Sequence, residues 1–391
     1  MVAPLARVGG AASVGGVLLC GGVCVLIALC FAELSSMFDE SGGPYLYARV
    51  AFGPVAGFCV GWLGMATGVL GLAAVALGFA GVLAQFVPAL AQARPAVAVA
   101  VICLLGAINY RGVKAGGRTS TVLSIVKIAP LIVLALAGLF ATRTAAPLAT
   151  PDGGVIKSAF LAIFMMSGFE YAAVPAGEVR DARRTIPLAI VGSIAFASLL
   201  YAALQFASLG AVEALSTRER PLADLATHLF GASGGTIIGL TALASMLGFC
   251  AGVALVAPRY FTALAKDGYL PARLLGSSRH DTPAAALLAS TGLACALAIV
   301  LGYASLVDVS NVVILSGYAL TCLAALVLKL RRPELPRRYT LPFGPLIPLL
   351  AAASAVALLI SARPGFAEWR FSAILLALGL ACWGATAWLR R

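Results

Sequence analysis

Charged residues are scarce in this sequence. Only 11% of its 391 residues are Asp, Glu, Lys or Arg, whereas 61% are hydrophobic. A domain with so little charge would not stay soluble in water. Long stretches without any charged side chain recur, at residues 51–93, 185–212, 229–258, 282–307, 309–328 and 371–389. Since about 20 apolar residues cross a bilayer as a helix, the composition predicts an all-α polytopic membrane protein.

Groups that bind metals or perform acid–base chemistry are also few. The two histidines, His228 and His280, lie in different predicted loops, and the apolar stretches lack Asp–His pairs. All nine cysteines lie inside apolar runs, where we expect small buried hydrophobic side chains and not disulfides or zinc ligands. No serine or cysteine has a visible base partner. The sequence therefore predicts neither an enzyme nor a bound metal or cofactor.

Acidic residues are fewer than basic ones, with 15 Asp and Glu against 27 Lys and Arg, a net charge of +12. In a soluble protein this surplus would suggest nucleic acid binding. Here the basic residues cluster in short loops between apolar stretches, so the bilayer is the expected partner and nucleic acid is not. Eleven spans are predicted, at about residues 11–35, 53–86, 95–109, 120–141, 157–176, 187–210, 233–262, 283–304, 308–328, 345–362 and 370–389.

The basic residues fall mainly on one side of these spans. Alternate loops assigned to that side hold 18 of the 27 Lys and Arg residues. The positive-inside rule makes this side cytoplasmic, together with the C-terminus, as in a multi-pass protein of the cell (inner) membrane. An odd number of spans then places the N-terminus outside, yet MVAPLARVGG contains neither a positively charged signal peptide nor a full span. Two alternatives remain: an unusual topology, or a segment missing ahead of Met1.

Small residues form a regular pattern in the second predicted span. Glycines recur there with spacings of 4, 3, 4 and 3, which places them on one helix face; they are Gly57, Gly61, Gly64, Gly68 and Gly71. Small side chains let membrane helices approach closely, so a packing seam is the preferred interpretation. Thr67 and Gly68, near the middle of the span, remain candidates for the border of a binding site.

Three of the charged residues within or at the ends of spans are informative. Lys127 costs on the order of 3 kcal/mol at membrane depth. It either extends its ammonium group to the cytoplasmic interface or faces a cavity, where desolvation would make it a proton carrier. Glu33 ends the first span and is expected to be a hydrogen-bonded structural carboxylate. Glu170 lies about thirteen residues into its span, so its carboxylate must face protein or water and not lipid.

The stretch FMMSGFEYAAVPAGEVRDARR, which contains Glu170, runs from an apolar segment into a basic cluster. Gly168 favours a break in the helix, and the backbone groups freed by a break can line a cavity. The alternative is a tolerated kink with a structural hydrogen bond to the carboxylate. The same span therefore predicts either an interrupted helix at a cavity or a local kink.

Three long segments resemble the amino acid–polyamine–organocation (APC) transporter superfamily. FAELSSMFDESGGPYLYARVAFGPVAGFCVGW (31–62) resembles its second-to-third helix signature, GFEYAAVPAGEVRDARRTIPLAI (168–190) its sixth helix, and APRYFTALAKDGYLPARL (257–274) its eighth-helix loop. The similarity is collinear over essentially the whole chain. It implies one transmembrane transporter domain over 1–391, with two inverted five-helix repeats plus extra helices, a LeuT-like fold.

The resemblance also implies roles for individual residues. Substrate would bind near the midplane at broken helices, on Ser167, Gly168 and Phe169, with Thr67 and Gly68 at the border. Phe164 falls where relatives often place a gating aromatic, and Glu170 would help couple the break to gating or protonation. Lys127 matches a lysine of the proton-coupled members. The implied function is secondary active transport of amino acids or related amines, proton-coupled and sodium-independent.

One feature departs from the family pattern. MVAPLARVGGAASV resembles only the part of the first family helix that follows its glycine-rich break, so most of that helix is expected to be absent. This agrees with a count of eleven spans where the family has twelve. The competing hypothesis is a truncated, non-transporting remnant or a substrate-sensing membrane protein with the same fold.

Overall fold

A computed structural model describes residues 1–38, 40, 42–111, 113–141, 153–174, 181–276, 282–363 and 365–389. All regular structure in these residues is helical. The α-helices are α1 (Val2–Gly9), α2 (Ser13–Met37), α3 (Pro44–Phe52), α4 (Pro54–Phe86), α5 (Arg94–Tyr110), α6 (Val113–Ala141), α7 (Gly154–Met166), α8 (Ala182–Ala211), α9 (Pro221–Lys266), α10 (Ala284–Val300), α11 (Tyr303–Arg331), α12 (Leu346–Ser361) and α13 (Phe366–Leu389).

The predicted spans coincide with these helices. Eight of the helical segments are long and apolar enough to cross a membrane, and three shorter apolar helices, Lys127–Ala141, Ala284–Val300 and Leu346–Ser361, fall on the remaining predicted spans. The prediction of an all-helical, multi-span membrane protein is confirmed. In a bilayer every backbone polar group must be bonded within its own segment, and helices satisfy this requirement.

Two helical segments lie where loops were expected. The short helix α3 starts at Pro44, whose fixed φ suits a first helical turn, and it ends before Gly53 at φ +92°. In α9, Gly231 has a φ of +75°, so a kink separates an additional helical segment, residues 221–230, from the predicted span 233–262. The N-terminal residues form the separate helix α1, which ends at Gly10 with a φ of +51°.

The buried apolar side chains form two large cores that share α11. The first core contains side chains of α2, α7, α8, α11 and α12, such as Ile27 and Ile163. The second core contains side chains of α4, α5, α9, α10 and α11, such as Leu70 and Ala254. The short helix α3 contributes to both, because Leu46 and Tyr47 belong to the first core and Tyr45 to the second.

The glycine face of α4 is a packing seam, as predicted. A Cβ atom at these positions would meet side chains of α3 or α9: Arg49 at Gly57, Tyr45 at Gly61, Tyr260 at Gly64, Ala257 at Gly68 and Phe249 at Gly71. The absence of side chains on this face therefore lets α4 approach both helices closely.

Candidate functional site

The span predicted at residues 157–176 is interrupted at Ser167 and Gly168. The helix α7 ends at Met166, Ser167 is extended at φ −71° and ψ +162°, and Gly168 has a φ of +115°. A positive φ of this kind costs glycine little and other residues more. A short 3₁₀-helix, Phe169–Ala173, follows the break. The helix break predicted at Gly168 is therefore present.

The carboxylate of Glu170 lies directly at this break and is 5% exposed. Its Oε2 accepts hydrogen bonds from the Gly168 N–H at 2.8 Å and from the Tyr318 hydroxyl of α11 at 2.7 Å. Its Oε1 is buried and accepts no hydrogen bond from any described group. Oε2 thus forms the structural hydrogen bonds that a local kink would require. Oε1 can still accept a hydrogen bond.

Aromatic rings surround the break. Phe31 of α2 contacts Phe169 and Tyr318 edge to face, with ring centroids 5.8 and 5.9 Å apart. Phe169 and Tyr318 lie 5.4 Å apart at an angle of 33°. These rings exclude water from the Glu170–Tyr318 hydrogen bond on that side, and such a bond is stronger in a low-dielectric environment.

A narrow cavity of about 30 Å³ adjoins Glu170. It is lined by residues of the break, α2, α3, α4, α9 and α11, among them Glu170, Thr67, Tyr260, Gly317, Thr321 and Pro44. This volume has room for about two water molecules, which is too little for an amino acid.

The other predicted site residues differ in what they contact. The hydroxyl of Ser167 donates to the Phe164 carbonyl at 2.9 Å, and Phe164 itself is buried in the second core. Gly68 packs against Ala257, and a Cβ there would lie 3.9 Å from the Tyr171 hydroxyl. Lys127 is partly buried on α6 and is not among the residues that line the cavity.

Three site residues were not identified from the sequence. Phe31, Tyr260 and Tyr318 lie at the break or its cavity but belong to apolar stretches far from it along the chain. Their ring and hydroxyl positions depend on helix packing. For Tyr318, the signal in the sequence was a tyrosine hydroxyl inside the uncharged stretch 309–328.

The cavity is bordered by the start of α3. Pro44 lines it, and the Gly42 N–H donates to the Val174 carbonyl at 2.9 Å. The side chains of Tyr45 and Arg49 both donate to Asp267, the residue that follows α9. Burial raises the pKa of the Tyr45 phenol, and its bond to Asp267 raises it further. The phenol therefore stays protonated, and can donate to Asp267, above the usual tyrosine range near pH 10.

Glu33 has the structural role that was expected for it. It is 2% exposed and accepts hydrogen bonds from Lys329 Nζ at 3.0 and 3.1 Å. Arg337 Nε lies 3.2 Å from Glu33 Oε1. These contacts join the end of α2 to the end of α11 and the segment after it.

A bundle of apolar spans around an interrupted helix, with a buried carboxylate at the interruption, defines a class of helical membrane transporters. The chain belongs to the amino acid permease family of the APC superfamily, since residues 1–382 match that family. This is a family of transporters and not of enzymes, and membership implies the LeuT-like fold.

Individual relatives are distant but similar over most of their length. The chain is 26% identical to the serine/threonine exchanger SteT of Bacillus subtilis (strain 168), over 84% of this chain and 77% of the relative. It is 28% identical to the methylthioribose transporter of the same organism, over 91% and 81%. It is also 28% identical to the polyamine transporter PUT1 of Oryza sativa subsp. japonica, over 81% and 61%.

Proposed function

We propose that this protein carries amino acids or related amines across the cytoplasmic membrane by alternating access. The observation that carries the proposal is the interruption of the helix at Ser167 and Gly168, beside the buried Glu170. Broken helices in transporters of this architecture present free backbone groups and partial charges to the substrate. Ser167, Gly168 and Phe169 would supply these contacts, with Thr67 and Gly68 at the border.

The two cores support a mechanism in which one helix group moves against the other. The broken helix packs with α2 and α8 in the first core, whereas α4, α5, α9 and α10 form the second. The gating residues Phe164 and Glu170 lie where these groups meet, since Phe164 packs in the second core and Glu170 bonds Tyr318. Rocking of the first group would break or remake these contacts and open the site to one side at a time.

The proposed coupling ion is the proton, with no requirement for sodium. Lys127 is partly buried on α6, an apolar helix in which an ammonium group is costly. Desolvation favours the neutral amine, so Lys127 would gain and lose a proton between transport states. The proposed topology is a single domain of five-plus-five inverted repeats with a cytoplasmic C-terminus.

The proposal is tested by uptake into proteoliposomes. The relatives suggest the labelled panel: serine, threonine, a polyamine and methylthioribose. We expect uptake of at least one of these under an inward proton gradient, without sodium. Absence of uptake for the whole panel would instead favour the non-transporting alternative.

Lys127→Ala tests the coupling role separately. It should abolish proton-driven uptake while leaving the protein folded, because it removes the titrating amine. Lys157→Ala is the matched control, since Lys157 is an exposed residue in the first turn of α7. Proton-driven uptake that persists in Lys127→Ala at the level of the control would exclude Lys127 as the coupling residue.

A further inference from the structure

A cleft of about 410 Å³ lies beside the second core and shares none of its described lining residues with the cavity at Glu170. It is formed where α5 begins, α10 ends and α11 begins. Its volume falls in the range of small-molecule sites, about 300–1,000 Å³. We call it the interfacial cleft, and its lining residues include Leu77, Gln92, Arg94, Ile299, Val300 and Tyr303.

The interfacial cleft lies at the level where the membrane meets water. Arg94 is the first residue of α5, Val300 is the last residue of α10, and Tyr303 is the first residue of α11. All three helices are apolar and coincide with predicted spans, so their ends mark the boundary of the hydrocarbon core. This is the level of a bilayer that phospholipid headgroups occupy.

The polar part of the interfacial cleft is positively charged. Arg94 is the charged residue among its described lining residues, and it is exposed. Within the described part of the chain, no carboxylate forms an ion pair with Arg94. The end of α10 and the start of α11 meet at Gly302, so the opposite partial charges of these helix ends offset each other. The guanidinium can therefore pair with an anion, and a phosphate accepts two of its N–H groups in parallel.

The other part of the interfacial cleft is apolar and exposed. Val300 is 77% exposed and Ile299 is 63% exposed, and both line the cleft with Arg94. A soluble anion that paired with Arg94 would leave these side chains uncovered. A molecule with an anionic head and hydrocarbon tails would cover both parts, and covering apolar surface is favourable by about 25 cal/mol per Å² when that surface leaves water.

We propose that the interfacial cleft binds a phospholipid with a net negative charge, of the phosphatidylglycerol class. Its phosphodiester pairs with Arg94 and accepts a hydrogen bond from the Gln92 amide, while its acyl chains lie along Ile299 and Val300. A zwitterionic lipid fits less well, because its ammonium group would meet no carboxylate among the described lining residues. The bound lipid connects α5 with α10 and α11. The proposal is independent of transport, since lipid binding requires no substrate.

The test is the binding of dioleoylphosphatidylglycerol to the purified full chain in detergent, measured by native mass spectrometry. Dioleoylphosphatidylcholine is the zwitterionic comparison, and inorganic phosphate is the free anion. We expect the anionic lipid to bind about fivefold more tightly than the zwitterionic one, which is the effect of one basic residue near the membrane surface. Inorganic phosphate at the same concentration should not displace the lipid, because it covers none of the apolar part of the cleft.

Substitutions of Arg94 test the polar part of the cleft. Arg94→Gln should remove the preference for the anionic lipid, whereas Arg94→Lys should retain it because the positive charge remains. Arg220→Gln is the matched control, since Arg220 is also an exposed arginine at the start of a helix, directly before α9, but does not line the cleft.

Gly302→Leu tests the apolar part. Gly302 lines the cleft, a Cβ there would meet nothing within 4 Å, and its φ of −78° suits other residues. The leucine side chain would occupy space that the proposal assigns to an acyl chain, so both lipids should bind more weakly than to Gly292→Leu. Gly292 is the matched position, because it is an exposed glycine of α10 outside the cleft whose Cβ would also meet nothing within 4 Å.

Equal binding of the two lipids to the unmodified protein would overturn the proposal, as would an equal preference in Arg94→Gln and Arg220→Gln. Displacement of the lipid by inorganic phosphate at the same concentration would indicate a site for a free anion and overturn the assignment to a lipid. If Arg94→Gln does not fold, the comparison of Gly302→Leu with Gly292→Leu decides the question. The measurement involves no uptake, so absence of transport for the whole panel would refute the proposed function and leave the lipid site to be judged by binding alone.

Discussion

The hydroxyl of Tyr318 is the closest partner of the Glu170 carboxylate, and the variant Tyr318→Phe isolates this one bond. The ring contacts with Phe31 and Phe169 remain, whereas the 2.7 Å hydrogen bond to Oε2 is lost. Because the acceptor is a buried carboxylate, we expect the free energy of unfolding to fall by about 1.5–3 kcal/mol.

Unfolding in mixed detergent micelles measures the difference. Tyr303→Phe is the control, since among the described residues its hydroxyl has a single long contact, 4.0 Å from the Met1 sulfur. A loss in Tyr318→Phe no larger than that in Tyr303→Phe would contradict the stabilising role of the bond.

Single residues of the site were only partly predictable. Gly168 and Glu170 were identified because each departs from what an apolar span normally contains. Tyr318 lies 148 positions from Glu170, inside an uncharged span, and nothing in its neighbourhood in the sequence indicates a carboxylate partner. The partner of a buried charge is determined by packing, not by local pattern.

The packing of helix α4 depends on glycines, which have no side chain. Gly64→Ala places a Cβ 2.6–3.0 Å from Tyr260 ring and hydroxyl atoms, so Tyr260 or the helix must shift. Such overpacking costs about 1–3 kcal/mol. Gly81→Ala on the same helix meets nothing within 4 Å and should be neutral or stabilising, by up to about 1 kcal/mol, since alanine favours helix.

The two variants are compared by thermal unfolding in one detergent. The prediction is a lower unfolding temperature for Gly64→Ala and an unchanged or higher one for Gly81→Ala. Equal shifts of the unfolding temperature in both variants would mean that close packing against α9 does not require glycine at position 64.

The helix α3 was not predicted, although its neighbours were. It has nine residues, too few for a period to be recognised, and Arg49 made the segment look like a loop. Its helical form depends on the burial of Tyr45, Leu46 and Tyr47 against both cores. Short helices of this kind gain their stability mainly from tertiary contacts.

Across the whole molecule, ionic contacts join helices at the end where α3 lies. Glu33→Gln should lower the free energy of unfolding by about 3–5 kcal/mol, because it leaves Lys329 and Arg337, whose side chains are 15% and 12% exposed, without a counter-charge. Glu334→Gln is the control. Glu334 pairs with Arg332 at 3.7 Å with both side chains about 60% exposed, and its loss should cost below about 1 kcal/mol.

Chemical unfolding of the two variants gives both values. Similar losses in Glu33→Gln and Glu334→Gln would show that burial does not strengthen the Glu33 contacts.

Asp267 connects α3 to the end of α9 and therefore to the second core. Asp267→Asn weakens the acceptor for Tyr45 and Arg49. We expect a broader distribution of distances between spin labels on α3 and on the end of α9. Asp181→Asn is the control, since Asp181 forms an exposed pair with Arg338. Identical distributions in the two variants would show that Asp267 does not hold α3 in place.

The sequence alone was sufficient for the membrane class, the span positions and the glycine seam, and it gave the interrupted helix at Gly168 as one of two alternatives. The physical reason is that a bilayer requires apolar segments whose backbone groups bond within the segment. Each span, and each residue in it that departs from the apolar pattern, can therefore be recognised from the neighbouring sequence. The pairs Glu170–Tyr318, Glu33–Lys329 and Tyr45–Asp267 required the tertiary structure. They join residues 148, 296 and 222 positions apart, and only the packing of helices brings such residues into contact.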